Sequence, residues 1–182
     1  MNYIDKFNNN IVKYDLFNKF NYNYSSNIPT LKKITLNFGI NNSDLEKLIS
    51  SALFLKLISD RKSSLTSSKI SDIKLKIKKG YPVGCKVTLK KDKMFNFLLK
   101  FIIKIITKSK NFRKISLKTK NNSVSFTIKK TDLKTTELEY YYNILTNKIT
   151  DLNINISTNA KTEKELLFLI NSLKLSNFVR IG

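Results

Sequence analysis

The stretch Gly80-Tyr81-Pro82-Val83-Gly84-Cys85-Lys86-Val87-Thr88-Leu89 constrains the fold more than any other. Three of the six glycines and prolines in 182 residues fall within its first five positions. Glycine reaches backbone angles that other residues avoid, and proline fixes φ, so a chain this sparing with both marks a tight turn here. Beyond the turn, Val83, Cys85, Val87 and Leu89 alternate with Gly84, Lys86, Thr88 and Lys90. That period of two predicts a half-buried strand whose open face is basic.

Before the turn, Ile73, Leu75 and Ile77 alternate with Lys74, Lys76 and Lys78, which predicts a partner strand and an antiparallel hairpin with a basic tip. Leu31 to Phe38 reads as a strand with Ile34, Leu36 and Phe38 inward and Lys33, Thr35 and Asn37 outward, ended by Gly39. Val124, Phe126 and Ile128 mark another strand, and Leu152, Ile154 and Ile156 a last one with Asn153, Asn155 and Ser157 on its other face. The segment from Ser59 to Ser71 is polar and serine-rich, and the one from Arg113 to Asn122 reads as a lysine-rich loop.

Helical spacing appears four times. Ile4, Phe7, Ile11, Tyr14 and Phe17 suggest a first helix, weakened by Asn8, Asn9 and Asn10. Ser43 and Glu46 form a capping box ahead of Leu45, Leu48, Ile49, Ala52, Leu53 and Leu57. Asp92 is the expected cap of a helix running to about Thr107, apolar except for the stripe Lys93, Asn96, Lys100, Lys104 and Lys108. Thr162 and Glu165 cap a final helix carrying Leu166, Leu169, Ile170 and Leu173 on one side. Glu137 to Asn147 stays open between helix and loop. The order predicts one α+β domain over 1–182, with an N-terminal helical segment at 1–28 and a core at 29–182. Its sheet is mainly antiparallel, with helices packed on one face.

Charge narrows the function. Thirty-four Lys and Arg against 13 Asp and Glu give +21 with no histidine, an excess that repels itself unless a polyanion neutralises it. A/T-rich codons account for lysine in place of arginine, yet Asp and Glu also have A/T-rich codons and are scarce. Nucleic acid is therefore the first candidate partner, and an anionic membrane surface bound peripherally is the alternative. The run from Met94 to Ile106 is too short to span a bilayer and is broken by Lys100 and Lys104.

Nothing in the chain points to catalysis. A single cysteine excludes an internal disulfide framework and any multi-cysteine metal site, and Cys85 falls on the apolar side of its strand. Without histidine it lacks the usual activating partner. Glu137 and Glu139 read as surface charges rather than an acid–base pair. Tyr140, Tyr141 and Tyr142 read either as base-stacking groups or as residues packed against the sheet. No metal, cofactor or catalytic residue is expected. The N-terminus, Met1-Asn2-Tyr3-Ile4-Asp5-Lys6, lacks the character of a signal or transit segment.

Ordered motifs carry a resemblance. They are Phe20-Asn21-Tyr22-Asn23; Pro29 with Lys33-Ile34-Thr35-Leu36-Asn37-Phe38-Gly39; Gly80 to Leu89; Phe112-Arg113 with Ser116; and Thr158 with Ala160-Lys161-Thr162. In this order and spacing the chain resembles the bacterial-type ribosomal protein L-five family of the large subunit over nearly its whole length. The resemblance implies a place in the central protuberance, with large-subunit RNA, and 5S RNA where present, as partners. It implies further contacts with the elbow of the peptidyl-site tRNA and with a protein of the small-subunit head, no membrane, and no homo-oligomer. Family residues facing RNA correspond to Asn37, Lys62, Thr66 and Thr88, with Arg61 where the family usually has glutamine. The tRNA-facing loop corresponds to Lys74 through Tyr81. Two stretches depart from the family: Lys118-Thr119-Lys120-Asn121-Asn122 lacks the family's glycines, and Thr136-Glu137-Leu138-Glu139-Tyr140 replaces an acidic segment containing proline. The codon-biased composition implies an organellar gene, mitochondrial first and plastid second.

Residues and resemblance together give an expected rRNA-binding set of Lys33, Asn37, Arg61, Lys62, Thr66, Lys69, Lys86, Thr88, Lys90 and Arg113. The expected tRNA-contact set is Lys74, Lys76, Lys78, Lys79 and Tyr81. On the sheet, lysines serve phosphate, while Asn and Thr serve sugar and base edges.

Overall fold

The computed structural model describes residues 3–40, 44–106, 115–120, 122–133, 149–173, 175 and 179–181. The alternation at Ile34, Leu36 and Phe38 becomes strand β1, Leu31–Gly39, with all three side chains buried. It pairs antiparallel with β3 (Pro82–Leu89) on one side and with β6 (Leu152–Thr158) on the other. β2 (Ser64–Ser67) closes one side of the sheet, and β5 (Ser123–Ile128), β4 (Ile115–Lys120) and β7 (Val179–Ile181) extend the other. The order is β2-β3-β1-β6-β5-β4-β7, antiparallel except for β7, which runs parallel to β4. The expected α+β architecture is present.

The apolar face of this sheet is covered by helices. α1 (Tyr3–Phe7) and α2 (Lys13–Phe20) are joined by a π-turn over Asn8–Val12 into one helical stretch. It buries Ile4, Asn8, Val12 and Leu16 and leaves Ile11, Tyr14 and Phe17 exposed, contrary to the face expected from the sequence. A four-residue recurrence drifts by about 40° per step in a regular helix, and a wider turn takes up part of that drift.

α3 (Leu45–Ser59) starts one residue later than the capping box implied. Asp44 holds the N-cap position and pairs with Lys47 at 2.6 Å, while Ser43 lies outside the described residues. α3 buries Leu48, Phe54, Leu55 and Ile58 and exposes Leu45, Ile49 and Leu53. A helix apolar on most sides offers no periodic cue to its inner face. α4 (Lys91–Lys100) continues as a π-helical segment, Phe101–Ile106. Its N-cap is Lys90, and Asp92 sits in the first turn instead. α5 (Glu163–Ser172) has the predicted capping box: Glu165 N–H donates to Thr162 Oγ1 at 3.3 Å, and Thr162 N–H to Glu165 Oε2 at 3.3 Å.

One hydrophobic core joins these layers. Phe38 of β1 meets Phe54 of α3 edge to face at 5.7 Å, and Phe101 meets Phe126 of β5 at 5.9 Å. Each fully buried side chain of this size contributes on the order of 2 kcal/mol. The Phe20-Asn21-Tyr22-Asn23 motif fastens the N-terminal helix to α5. Asn21 takes the left-handed conformation that ends α2, and Phe20 packs on Phe168 at 5.7 Å.

Two readings of the hairpin region change. β3 pairs with Ser64–Ser67, inside the serine-rich segment, and not with Ile73–Ile77, which belongs to a loop. Threonine, serine and one leucine give β2 too little apolar signal to be read from the sequence. Likewise Ile115–Lys120 is a strand where a lysine-rich loop was expected. Its lysines masked a pairing that β5 dictates.

Candidate nucleic-acid interface

The face of the sheet away from the helices carries polar side chains in rows set by register. One row runs Ser64, Lys86, Asn37, Asn153 and Thr127 across five strands. Beside it lie Thr88, Thr35, Asn155 and Ser125, and then Lys33, Ser157 and Ser123. These side chains are exposed or half-buried. The five strands contain no Asp or Glu. Two carboxylates bordering them in sequence are engaged: Asp60 with Lys100 at 2.6 Å, and Asp151 accepting from the Lys130 N–H at 3.0 Å. Within the rows a phosphate strand meets no carboxylate, although the exposed Asp151, held by a neutral backbone N–H, keeps its charge at the start of β6.

The face is less uniformly basic than the sequence suggested. Its lysines, Lys33 and Lys86, stand on β1 and β3, while β5 and β6 present neutral amides and hydroxyls. Asn153, Asn155 and Thr127 thus join Asn37 and Thr88 in the same rows although they were absent from the expected site. The cue was present: neutral polar residues alternate through Leu152–Thr158 in a chain otherwise crowded with lysine.

Arg61, Lys62 and Thr66 gather at the β2 side. Arg61 Nη1 donates to the Thr88 carbonyl at 2.8 Å, closing the part of β3 that extends past β2. The rest of its fork faces solvent, beside the exposed Lys62. Thr66 stands opposite Gly84. Lys90 is an exposed helix cap rather than a strand residue, and Lys69 lies in the loop after β2 rather than on the sheet. Arg113 and Phe112 lie outside the described residues, as do Glu137, Glu139 and Tyr140 to Tyr142.

The loop from Ser68 to Tyr81 is closed at its neck by three hydrogen bonds: Ser68 N–H to Tyr81 O at 2.8 Å, Gly80 N–H to Ser68 O at 3.0 Å, and Ser68 Oγ to Lys78 O at 2.5 Å. Gly80 supplies the needed positive φ of 87°. At the tip, Asp72 and Ile77 exchange both backbone bonds, at 2.9 and 3.0 Å. Asp72 Oδ1 accepts from the N–H groups of Lys74 and Leu75 at 2.9 and 3.4 Å. Lys74, Lys76, Lys78 and Lys79 are all exposed, Tyr81 is 46% exposed, and Ile73 at the tip is 94% exposed. A structured loop thus displays Lys74, Lys76, Lys78 and Lys79 together with the exposed apolar side chains of Ile70, Ile73 and Leu75.

Burial pushes the Cys85 thiol up to about 11, so it is not a nucleophile at neutral pH. The Tyr22 hydroxyl is buried beside Glu165, and burial first, then that carboxylate's charge and hydrogen bonding to it, push it up to about 12. Among the described residues no group of His, Cys, Asp or Glu is placed to hold a metal ion. No helix among them is long and apolar enough to cross a membrane.

Fold and surface define a strongly cationic α+β protein with a helix-backed sheet and an acid-free polar face. Residues 82–176 match the model of the C-terminus of the ribosomal L5 protein family. Along nearly its full length the chain is similar to the large ribosomal subunit protein uL5m of Reclinomonas americana, 33% identical over 178 residues, covering 96% of this chain and 97% of that one. It is 36% identical over 160 residues to uL5 of Wigglesworthia glossinidia brevipalpis, with 86% and 88% covered. It is 38% identical over 176 residues to uL5 of the Wolbachia strain wRi, with 94% and 97% covered. The chain belongs to this uL5 family, the L-five family of the sequence motifs, and is a structural constituent of the large ribosomal subunit rather than an enzyme.

Proposed function

We propose that the chain anchors ribosomal RNA on the polar face of its sheet and carries the loop from Ser68 to Tyr81 toward a tRNA. The acid-free rows around Asn37 and Lys86 support this most directly, since lysines hold phosphate while amides and hydroxyls meet sugars and base edges. Arg61, Lys62, Thr66, Thr88 and Lys33 complete the anchoring surface, with Lys69 and Lys90 adding charge around it; Arg113 is assigned to RNA from its sequence motif alone. Lys74, Lys76, Lys78, Lys79 and Tyr81 form the tRNA-facing group.

In this reading residues 1–182 act as one domain in the central protuberance, bound to large-subunit RNA and to 5S RNA where the ribosome has it. The protein meets the peptidyl-site tRNA and a small-subunit head protein. The setting is a mitochondrial ribosome, supported by the composition and by the mitochondrial relative. Family membership favours this reading over peripheral attachment to anionic lipid. Gradient sedimentation of native complexes tests it: the chain is expected with large subunits at moderate salt, and its release into the light fractions would refute an anchoring role.

A further inference from the structure

The neutral half of the sheet has a device that the lysine-bearing half lacks. Thr127 Oγ1 donates to Asn153 Oδ1 at 2.7 Å across the β5–β6 pair. This fixes the amide so that its Nδ2 donors are left for a ligand. Both residues are exposed, so the bond is not needed to satisfy a buried group. Asn155 is exposed in the adjacent row.

Resting on the RNA-anchoring reading above, we infer that Asn153, Asn155 and Thr127 form a sugar-reading strip that selects RNA over DNA through the 2′-hydroxyl. Lys86 and Lys33 grip the phosphates of the same strand. The row from Lys86 through Asn37 and Asn153 to Thr127 crosses three strand spacings, about 14 Å. That is enough for about four stacked nucleotides. A 2′-hydroxyl both donates and accepts, which matches an amide presenting NH2 at Asn153 and a carbonyl or NH2 at Asn155. Lysine cannot make this distinction, because phosphate is common to both nucleic acids. An amide already held by Thr127 loses less rotamer freedom on binding. The reading is independent of sequence, so the preference should appear with any strand laid across the face.

The full-length protein is titrated with a mixed-sequence RNA hairpin carrying an eight-nucleotide loop and with its all-deoxy counterpart, over a series of salt concentrations. The wild-type protein is expected to bind the RNA roughly tenfold more tightly. Asn153→Ala with Asn155→Ala should remove most of that preference without changing the salt slope. Thr127→Val, isosteric and suited to a strand, should reduce the preference roughly two- to threefold. Lys86→Ala should lower affinity for both probes and keep the preference. A wild-type protein without preference, or a double variant that retains it, overturns the strip while leaving the anchoring surface intact. A double variant whose salt slope falls as Lys86→Ala does also overturns it. Failure of the wild-type protein to bind either probe refutes both the strip and the RNA reading beneath it.

Discussion

Gly84 of β3 lies against the backbone of Phe38 in β1, so closely that a Cβ there would collide with the Phe38 carbonyl oxygen and stand 3.0 Å from Thr66 Oγ1. Three strands are held at their spacing by the absence of a side chain. Gly84→Ala must push β1 or β2 away from β3, an overpacking cost of about 2–3 kcal/mol. Gly80 is a different case: its surroundings are open, and only its φ of 87° resists substitution, so Gly80→Ala should cost about 1 kcal/mol. Urea midpoints at constant m-value check the order, which is wrong if Gly80→Ala is the more damaging.

The contrast explains what could be read from the chain. The cluster of Gly80, Pro82 and Gly84 did announce a constrained site, but composition could not separate a glycine needed for its backbone angle from one needed for close approach. Strands β1, β3, β5 and β6 were legible because each alternates large apolar residues with polar ones. β2 and β4 were not, since the pairing of Ser64–Ser67 at the sheet edge and of Ile115–Lys120 between β5 and β7 is imposed by neighbours rather than by local pattern. Conversely, Ile73, Leu75 and Ile77 alternate yet form a loop tip, where Asp72 captures the following N–H groups and competes with the ladder. The candidate face was half visible: Asn37, Lys86 and Thr88 were read as outward and share its rows, while Asn153, Asn155 and Thr127 join them only once register brings distant strands together.

Tyr22 predicts a pH dependence. Its hydroxyl titrates near 10 in the unfolded chain and at about 12 in the folded one, so the fold favours the protonated form. The resulting stability is fully present below pH 10 and is lost as pH rises toward 12. Tyr22→Phe should flatten this decline between pH 10 and 12 relative to the wild-type protein. At pH 7, where the hydroxyl is protonated in both states, the two proteins should differ by no more than about 1 kcal/mol. Denaturation midpoints at pH 7, 10 and 11.5 check both parts. A steep wild-type loss that persists unchanged in the variant would show that another group is responsible.

Cys85 should resist alkylation. With its side chain fully buried and its thiol pushed up to about 11, almost no thiolate exists or is reachable at pH 8. Iodoacetamide labelling followed by mass measurement should be slow in the folded protein and fast in urea. Rapid labelling without denaturant would mean that the β1–β3 core opens far more readily than its packing implies.

On the sheet face, Lys86→Ala should reduce the slope of log affinity against log salt by about 1, the effect of one lost phosphate contact. Thr88→Ala should weaken RNA binding without altering the slope, since a hydroxyl carries no charge, and the double variant should show both effects. An unchanged slope for Lys86→Ala would move the phosphate track off β3.

The loop can be tested apart from the sheet, because its turn is closed by its own hydrogen bonds at Ser68, Asp72 and Gly80. Asp72→Ala removes the acceptor for two backbone N–H groups at the tip and should raise local amide exchange over residues 72–77, leaving β3 protected. Replacing Lys76, Lys78 and Lys79 by alanine removes charge without touching those bonds. If the loop meets tRNA while the sheet holds the ribosomal RNA, this triple variant should enter large subunits normally and show weakened peptidyl-site tRNA binding that becomes less sensitive to salt. Loss of incorporation would instead make the loop part of the anchor. Normal incorporation with unaltered tRNA binding would leave Lys76, Lys78 and Lys79 without the partner assigned to them.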